Sequence, residues 1–137
     1  MVAQTMTAAE HAERALVLLA EADAGIASED YDSVSGNLSC AVEHAIAAVS
    51  TEHGWEWEGD GHSDLLSVVE RIEKECHADG ISSTFRAATL WRNNRDYHFL
   101  DDYEYEFFTP SAHRFVSNAL NLNGSDVCTD ATDIVER

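Results

Sequence analysis

The fold of this chain is decided by residues 31–49, which read YDSVSGNLSCAVEHAIAAV. Their apolar side chains recur at spacings of three and four over about five turns, which predicts a long helix with one continuous buried face. The residues of this face are Tyr31, Val34, Leu38, Ala41, Val42, Ala45, Ile46 and Val49. Gly54 follows them, and a glycine at this position is typical of a helix end.

The segments on both sides of this helix predict four more helices. The first covers roughly residues 7–24 and begins at Thr7–Glu10, which has the form of a capping box. The others are expected over roughly residues 63–78, from about residues 82–84 into the segment 92–98, and from Thr109-Pro110, where a proline follows an N-cap residue. Because no strand is convincing, the sequence predicts an all-α fold, an antiparallel bundle of four to five helices.

Length and composition place limits on the domain organisation. The 137 residues fit one domain, and we expect a helical domain over residues 1–122 and an acidic C-terminal tail over 123–137. The longest apolar run, Ala15–Ala20, is far shorter than the ~20 residues of a membrane span, and no basic stretch near the start opens a secretory signal. The three cysteines are odd in number and lack a C-x-x-C spacing, which favours reduced thiols and a cytoplasmic location.

The charge balance is strongly acidic. There are 26 Asp and Glu residues against 8 Lys and Arg residues, so the net charge is −18. Binding of nucleic acid through a broad basic face is excluded, because neutralising phosphates requires clustered Lys and Arg. Such a charge repels itself within the folded chain. It indicates either a halophilic cytosol, whose salt would screen the repulsion, or simply a very soluble acidic protein.

Two of the eight basic residues stand close together in the segment Arg92–His98, which is the most informative stretch for chemistry. Arginine offers a fixed fork of donors to phosphate oxygens, and histidine titrates near neutral pH. Asn93 and Asp96 could orient these groups, and Arg95 adds a second cation.

The spacing of Arg92 and His98 presents a geometric difficulty. Six residues of a straight helix advance by about 600°, so the two side chains would point about 120° apart. Two arrangements would bring them together: the helix ends or kinks near Tyr97, or a two-fold dimer places Arg92 of one chain near His98 of the other. The simpler alternative is that both arginines pair with surface acids and that His98 has no chemical role.

The segment Arg92–His98, in which four residues separate Arg-Asn from His, resembles the Arg-polar-x4-His signature of the HEPN superfamily. Residues 38–48 are similar to the second helix of many HEPN proteins, which contains alanine and histidine. A glycine-bounded loop and a helix start at His62 then come in the family's order. The resemblance covers roughly residues 7–122.

The resemblance implies a HEPN-like helical bundle that forms a homodimer along the motif helices. It further implies a metal-independent endoribonuclease without a cofactor, the toxin of a pair with a nucleotidyltransferase antitoxin or of a related defence pair. Arg92, Asn93 and His98 would be the catalytic residues, with Arg95 and Asp96 in support. The reaction would be attack of a ribose 2′-hydroxyl on the adjacent phosphate of an RNA substrate. Other HEPN proteins are not nucleases, so a non-catalytic binding module that partners a nucleotidyltransferase is the alternative.

Two further groupings of residues offer other functions. Four histidines could converge on a metal ion as in some helical metal proteins, although none of the chain's histidines has Asp or Glu three residues before it. These four are His11, His44, His62 and His113. The aromatic residues could form a stacking surface for bases, although core or dimer contacts are the more common use of such residues. They are Trp55, Trp57, Trp91, Tyr103, Tyr105, Phe107 and Phe108.

Overall fold

The computed structural model describes residues 6–56 and 62–124, which form five α-helices and no strand. The helices are α1 (Ala8–Ala27), α2 (Val34–Glu52), α3 (His62–Glu75), α4 (Ile81–Tyr97) and α5 (Asp102–Gly124). The predicted all-α fold is therefore confirmed. Within the described residues, no helix combines the length and the apolar character needed to cross a membrane. Residues 125–137 lie outside the described residues, so the acidic tail stays a prediction.

Helix α2 is the central element, as the opening segment predicts. Each of the other four helices packs against it. Its buried residues are not confined to one face, because Ala47, Ala48 and Ser50 are buried as well as the predicted apolar stripe. A helix that is apolar or small on all sides belongs inside a bundle, since its neighbours can approach closely from every direction.

Neighbouring helices run antiparallel, which confirms the predicted arrangement of the bundle. In each pair, residues with increasing numbers on one helix contact residues with decreasing numbers on the other. The contacts are His11–His44 and Gly25–Val34 for α1 and α2, Glu70–Arg86 and Glu73–Ser82 for α3 and α4, and Phe85–Phe115 and Asn94–Tyr105 for α4 and α5.

The predicted helix start at Thr109-Pro110 is wrong. Helix α5 begins at Asp102, where the Asp101 N–H donates to the Glu104 carboxylate (2.8 Å), and it continues through Pro110. A proline inside a helix removes one backbone hydrogen bond and costs about 3 kcal/mol. The helix can continue because residues before and after Pro110, such as Tyr105 and Phe115, are buried in the same core.

The expectation of three reduced thiols is also wrong. Cys76 is fully buried and disulfide-bonded, whereas Cys40 is a free cysteine. Disulfides are rare in most cytosolic proteins. The cysteines therefore do not support the cytoplasmic location, which stays a prediction.

Candidate functional site

The motif residues lie at the carboxyl end of α4 and in the turn that follows it. The helix ends at Tyr97, and His98 is its C-cap residue, with φ 52° and ψ 57°. A helix end near Tyr97 is one of the two arrangements that the sequence suggests for Arg92 and His98. The backbone N–H of His98 still donates to the Asn94 carbonyl (2.8 Å), so the chain leaves the helix after this bond. Because the helix stops here, the helical rotation of 100° per residue does not fix the direction of the His98 side chain relative to that of Arg92.

The left-handed backbone of His98 sets the position of an exposed imidazole. Non-glycine residues adopt positive φ infrequently, although histidine does so more readily than most residues. A residue held in this region is a reason to ask for a function.

Asn94 holds the turn in place, and sequence reasoning missed it. Its side chain is almost fully buried (1% exposed), and its amide donates to the hydroxyls of Ser35 (2.8 Å) and Tyr105 (2.9 Å). Its carbonyl oxygen accepts the backbone N–H groups of residues 99–100, each at 2.8 Å. Asn94 therefore joins the start of α2, the end of α4 and the start of α5, whereas the predicted site residue Asn93 is exposed.

Arg95 and His98 line one cleft with a volume of about 360 Å³. The remaining lining comes from the start of α2 and from a pair of tyrosines: Tyr31, Asp32, Ser33, Ser35, Gly36, Asn37, Cys40 and Tyr105. Arg92 is not among the residues that line the cleft. Its guanidinium lies 3.8 Å from the Glu43 carboxylate on α2 (Nη1–Oε2). The cation that shares the cleft with His98 is therefore Arg95, which the sequence placed in a supporting role.

The cationic groups of the motif act on one carboxylate. The hydrogen bond from Arg95 Nε to Asp96 Oδ1 (3.1 Å) lowers the pKa of Asp96 below its usual value. The charges of Arg92 and His98 shift this pKa in the same direction. The three basic side chains thus make the electrostatic potential at the Asp96 carboxylate more positive, although the chain as a whole is strongly acidic.

Cys40 also lies in the cleft, and the surroundings of its thiol disfavour the thiolate form. Burial raises the pKa of its thiol, and the nearby Glu43 carboxylate raises it further. Nucleophilic cysteines need the opposite shift, since the thiolate is the reactive form.

The four histidines considered as metal ligands do not come together. His11 and His44 meet, with their Nδ1 atoms 3.0 Å apart. His113 lies instead beside Asp23 (2.9 Å), and the side chain of His62 lies outside the described part of the chain. Across residues 6–56 and 62–124, no three metal-binding side chains form a group.

The pair of His11 and His44 predicts a loss of stability in acid. Burial, the neighbouring His11 and the charge of Arg14 lower the pKa of His44 below its ordinary value of 6.5. As the pH falls, the unfolded chain therefore binds a proton before the folded chain does. The contribution of His44 to the free energy of unfolding is complete above about pH 6.5 and is lost as the pH falls below this value, by at most about 1.4 kcal/mol per pH unit for one proton. We expect His44→Gln to flatten the pH dependence of urea unfolding between about pH 7.5 and 5. His77→Asn, which alters an exposed histidine with positive φ, is the control and should keep the wild-type slope.

The predicted aromatic stacking surface is divided between core and solvent. Trp91 and Tyr105 are buried, with ring centroids 5.7 Å apart. Trp55 packs between other side chains, and Trp57 lies outside the described residues. Tyr103 and Phe107, by contrast, are largely exposed one turn apart on α5.

Comparison with known proteins adds no functional information. No protein-family model matches the chain, and no curated protein matches it. The functional argument therefore depends on the residues of the cleft and on the surface around it.

Proposed function

We propose that this chain is a HEPN-like, metal-independent endoribonuclease, the toxin of a HEPN–nucleotidyltransferase toxin–antitoxin or defence pair. The observation that carries the proposal is the cleft that Arg95 and His98 line together. Basic residues are scarce in this chain, at 8 against 26 acids, yet a guanidinium and an imidazole border one concave site. An imidazole can move protons and a guanidinium can stabilise developing negative charge, so these two groups can support phosphate-ester cleavage without a metal.

The proposed reaction is an internal transesterification of RNA. The neutral imidazole of His98 accepts the proton of a ribose 2′-hydroxyl, and the 2′-oxygen forms a bond to the adjacent phosphorus. The bond from phosphorus to the 5′-oxygen breaks, and that oxygen takes up a proton. The products are a 2′,3′-cyclic phosphate and a 5′-hydroxyl, and Arg95 stabilises the negative charge on the phosphate oxygens as it develops. No cofactor takes part in these reaction steps.

A homodimer belongs to this proposal. The His98 of one chain accepts the proton of the 2′-hydroxyl, and the His98 of a second copy would donate a proton to the leaving oxygen. The resemblance gives Arg92 and Asn93 catalytic roles, and a second copy would bring its own Arg92 and exposed Asn93 to the cleft. A cytoplasmic location, where such a toxin meets RNA, is part of the same proposal.

A non-catalytic module that binds a nucleotidyltransferase is the second candidate. The observation in its favour is the group of exposed aromatic side chains beside the motif, which is typical of a protein interface. It differs from the first candidate in predicting no cleavage of RNA.

Cleavage in EDTA with substitutions at Gly36 tests the ribonuclease proposal. Gly36 lines the cleft, and a Cβ added there has no atom within 4 Å, so a side chain would enter open space and spare the core. We expect the wild-type protein and Gly36→Ala to cut a labelled single-stranded oligoribonucleotide to products with 2′,3′-cyclic phosphate ends. Gly36→Phe should fold and yet lose most of this activity, because its ring fills the cleft.

Two controls test the role of the 2′-hydroxyl and the source of the activity. The same oligonucleotide made with deoxyribose lacks the 2′-hydroxyl and should remain intact. A contaminant would cut RNA equally in the preparations of both Gly36 variants. Equal rates for Gly36→Ala and Gly36→Phe would therefore contradict the proposal.

A further inference from the structure

Four large aromatic side chains are exposed at the end of the bundle where α4 turns into α5. Their exposed fractions are 76% for Tyr97, 53% for Phe99, 75% for Tyr103 and 73% for Phe107. In the described part of the chain, the other exposed large hydrophobic residues are Leu16 (55%) and Val17 (39%), both on α1. We call these four residues the aromatic corner. Their concentration within eleven consecutive positions, 97–107, is unlike the scattered exposure of single apolar residues that is normal for a soluble domain.

The aromatic corner is not needed to complete the core. Tyr103 and Phe107 are four residues apart and share the outer face of α5, opposite the buried Tyr105. Leu100 and Phe108, from the same stretch, supply the inward contacts instead. The exposed rings are therefore available to a partner without unfolding any part of the bundle.

Carboxylates surround the aromatic corner and indicate the charge of that partner. Asp101, Asp102 and Glu106 are exposed, and none of them takes part in an ion pair among the residues that the structure describes. The pKa of Tyr31 is raised by burial and further by the charges of Asp102 and Glu106, which places this negative potential beside the cleft. Aromatic faces attract cations, and arginine is the cation that most often stacks on them.

Charge also argues against two other occupants. A nucleic acid would bring phosphates to exposed carboxylates, although its bases could stack on the rings. A second copy of this chain that docked on the aromatic corner would place its own carboxylates against Asp102 and Glu106, so the proposed homodimer would have to pair through the motif residues and not through these rings.

We propose that the aromatic corner, with Asp102 and Glu106, is the docking surface for an arginine-rich segment of a partner protein that also carries aliphatic side chains. The guanidinium groups pair with the carboxylates and stack on Tyr103 and Phe107, and the aliphatic groups cover the remaining ring surface. The binding itself does not depend on ribonuclease activity. Because His98 lies between Tyr97 and Phe99 in the chain, the bound segment would also close the cleft, and this consequence rests on the proposed function.

Calorimetric titration with a short synthetic peptide that alternates arginine with leucine tests the docking surface. We expect the wild-type protein to bind this peptide at physiological salt and to show no binding of a peptide that alternates glutamate with leucine. Tyr103→Ser combined with Phe107→Ser should weaken binding about tenfold or more, as expected for two aromatic anchors. The matched control combines Leu16→Ser with Val17→Ser, which removes the same kind of exposed apolar surface from α1 and should leave the affinity unchanged.

The carboxylates are tested in the same way. Asp102→Asn combined with Glu106→Gln should weaken binding, whereas Glu13→Gln combined with Glu21→Gln removes the same charge from the exposed side of α1 and should not. Equal weakening by both pairs would mean that the peptide senses only the net charge, which would overturn the proposal. Loss of RNA binding when Tyr103 and Phe107 are replaced, or dissociation of a dimer by the same replacements, would overturn it as well. Since these measurements need no catalysis, their result is separate from the outcome of the cleavage assay.

Discussion

Asn94→Ala is expected to lower the free energy of unfolding by about 2–4 kcal/mol, because four groups lose their hydrogen-bond partner at once. The hydroxyls of Ser35 and Tyr105 are left without the amide, and two backbone N–H groups of the α4–α5 turn are left without an acceptor. Each unsatisfied buried group costs about 1–3 kcal/mol, although water can reach the turn and reduce the sum. Since small domains have about 5–15 kcal/mol in total, this single amide is a large part of the stability.

Urea unfolding of Asn94→Ala and of Asn93→Ala measures this contribution. The two substitutions make the same chemical change one residue apart in α4, but Asn93 is exposed, so its replacement should change the stability by no more than about 0.5 kcal/mol. Similar losses for both variants would show that the amide network of Asn94 does not hold the turn.

His98→Asn is expected to reduce kcat/KM for RNA cleavage by about 10²–10⁴-fold, the usual contribution of a general acid or base. Asparagine suits this position better than alanine, because it tolerates the left-handed backbone that His98 adopts at φ 52°. The variant should therefore keep the wild-type unfolding midpoint while its activity falls. His113→Asn changes a histidine that pairs with Asp23 on another part of the surface, and it should leave the rate unchanged.

The two arginines of the motif are distinguished by the same assay. Arg95→Ala should lower the rate about 10²-fold, as expected for the loss of one group that stabilises the charged phosphate. Arg86→Ala removes an exposed arginine of the same helix and should not affect the rate. Arg92→Ala should also lower the rate, and mixing it with His98→Asn should not restore activity, because the proposed site uses the His98 of both chains. A full rate for His98→Asn would remove the assignment of this site.

Most of the fold could be predicted from the periodicity of the sequence. The predicted first helix at about residues 7–24 corresponds to α1 at Ala8–Ala27, and the apolar stripe of α2 is buried as expected. The start of α5 could not be predicted, because Thr109-Pro110 has the local chemistry of a helix start. Only the packing of the aromatic residues on both sides of Pro110 shows why the helix passes through it.

The position of the candidate cleft near the end of α4 could be predicted from the sequence, but most of the side chains that line it could not. The sequence points to the end of α4, where Arg95 and His98 border the cleft. It names Asn93 instead of Asn94, since two adjacent asparagines differ only in the face of the helix that each occupies. It gives Arg92 the leading role by resemblance, and the contact of Arg92 with Glu43 depends on the packing of α2 against α4. Such distinctions arise from tertiary contacts, which no spacing rule contains.

The backbone at residue 98 would allow the fold to persist if the imidazole were lost. A left-handed conformation accepts glycine, asparagine or aspartate with little strain, and it rejects β-branched side chains. Single codon changes from histidine include asparagine and aspartate, so a lineage can lose the imidazole in one step and retain an intact bundle with an unaltered exterior. If the proposed catalysis were lost in this way, the exposed rings and carboxylates would remain, and selection could still maintain the protein for partner binding alone.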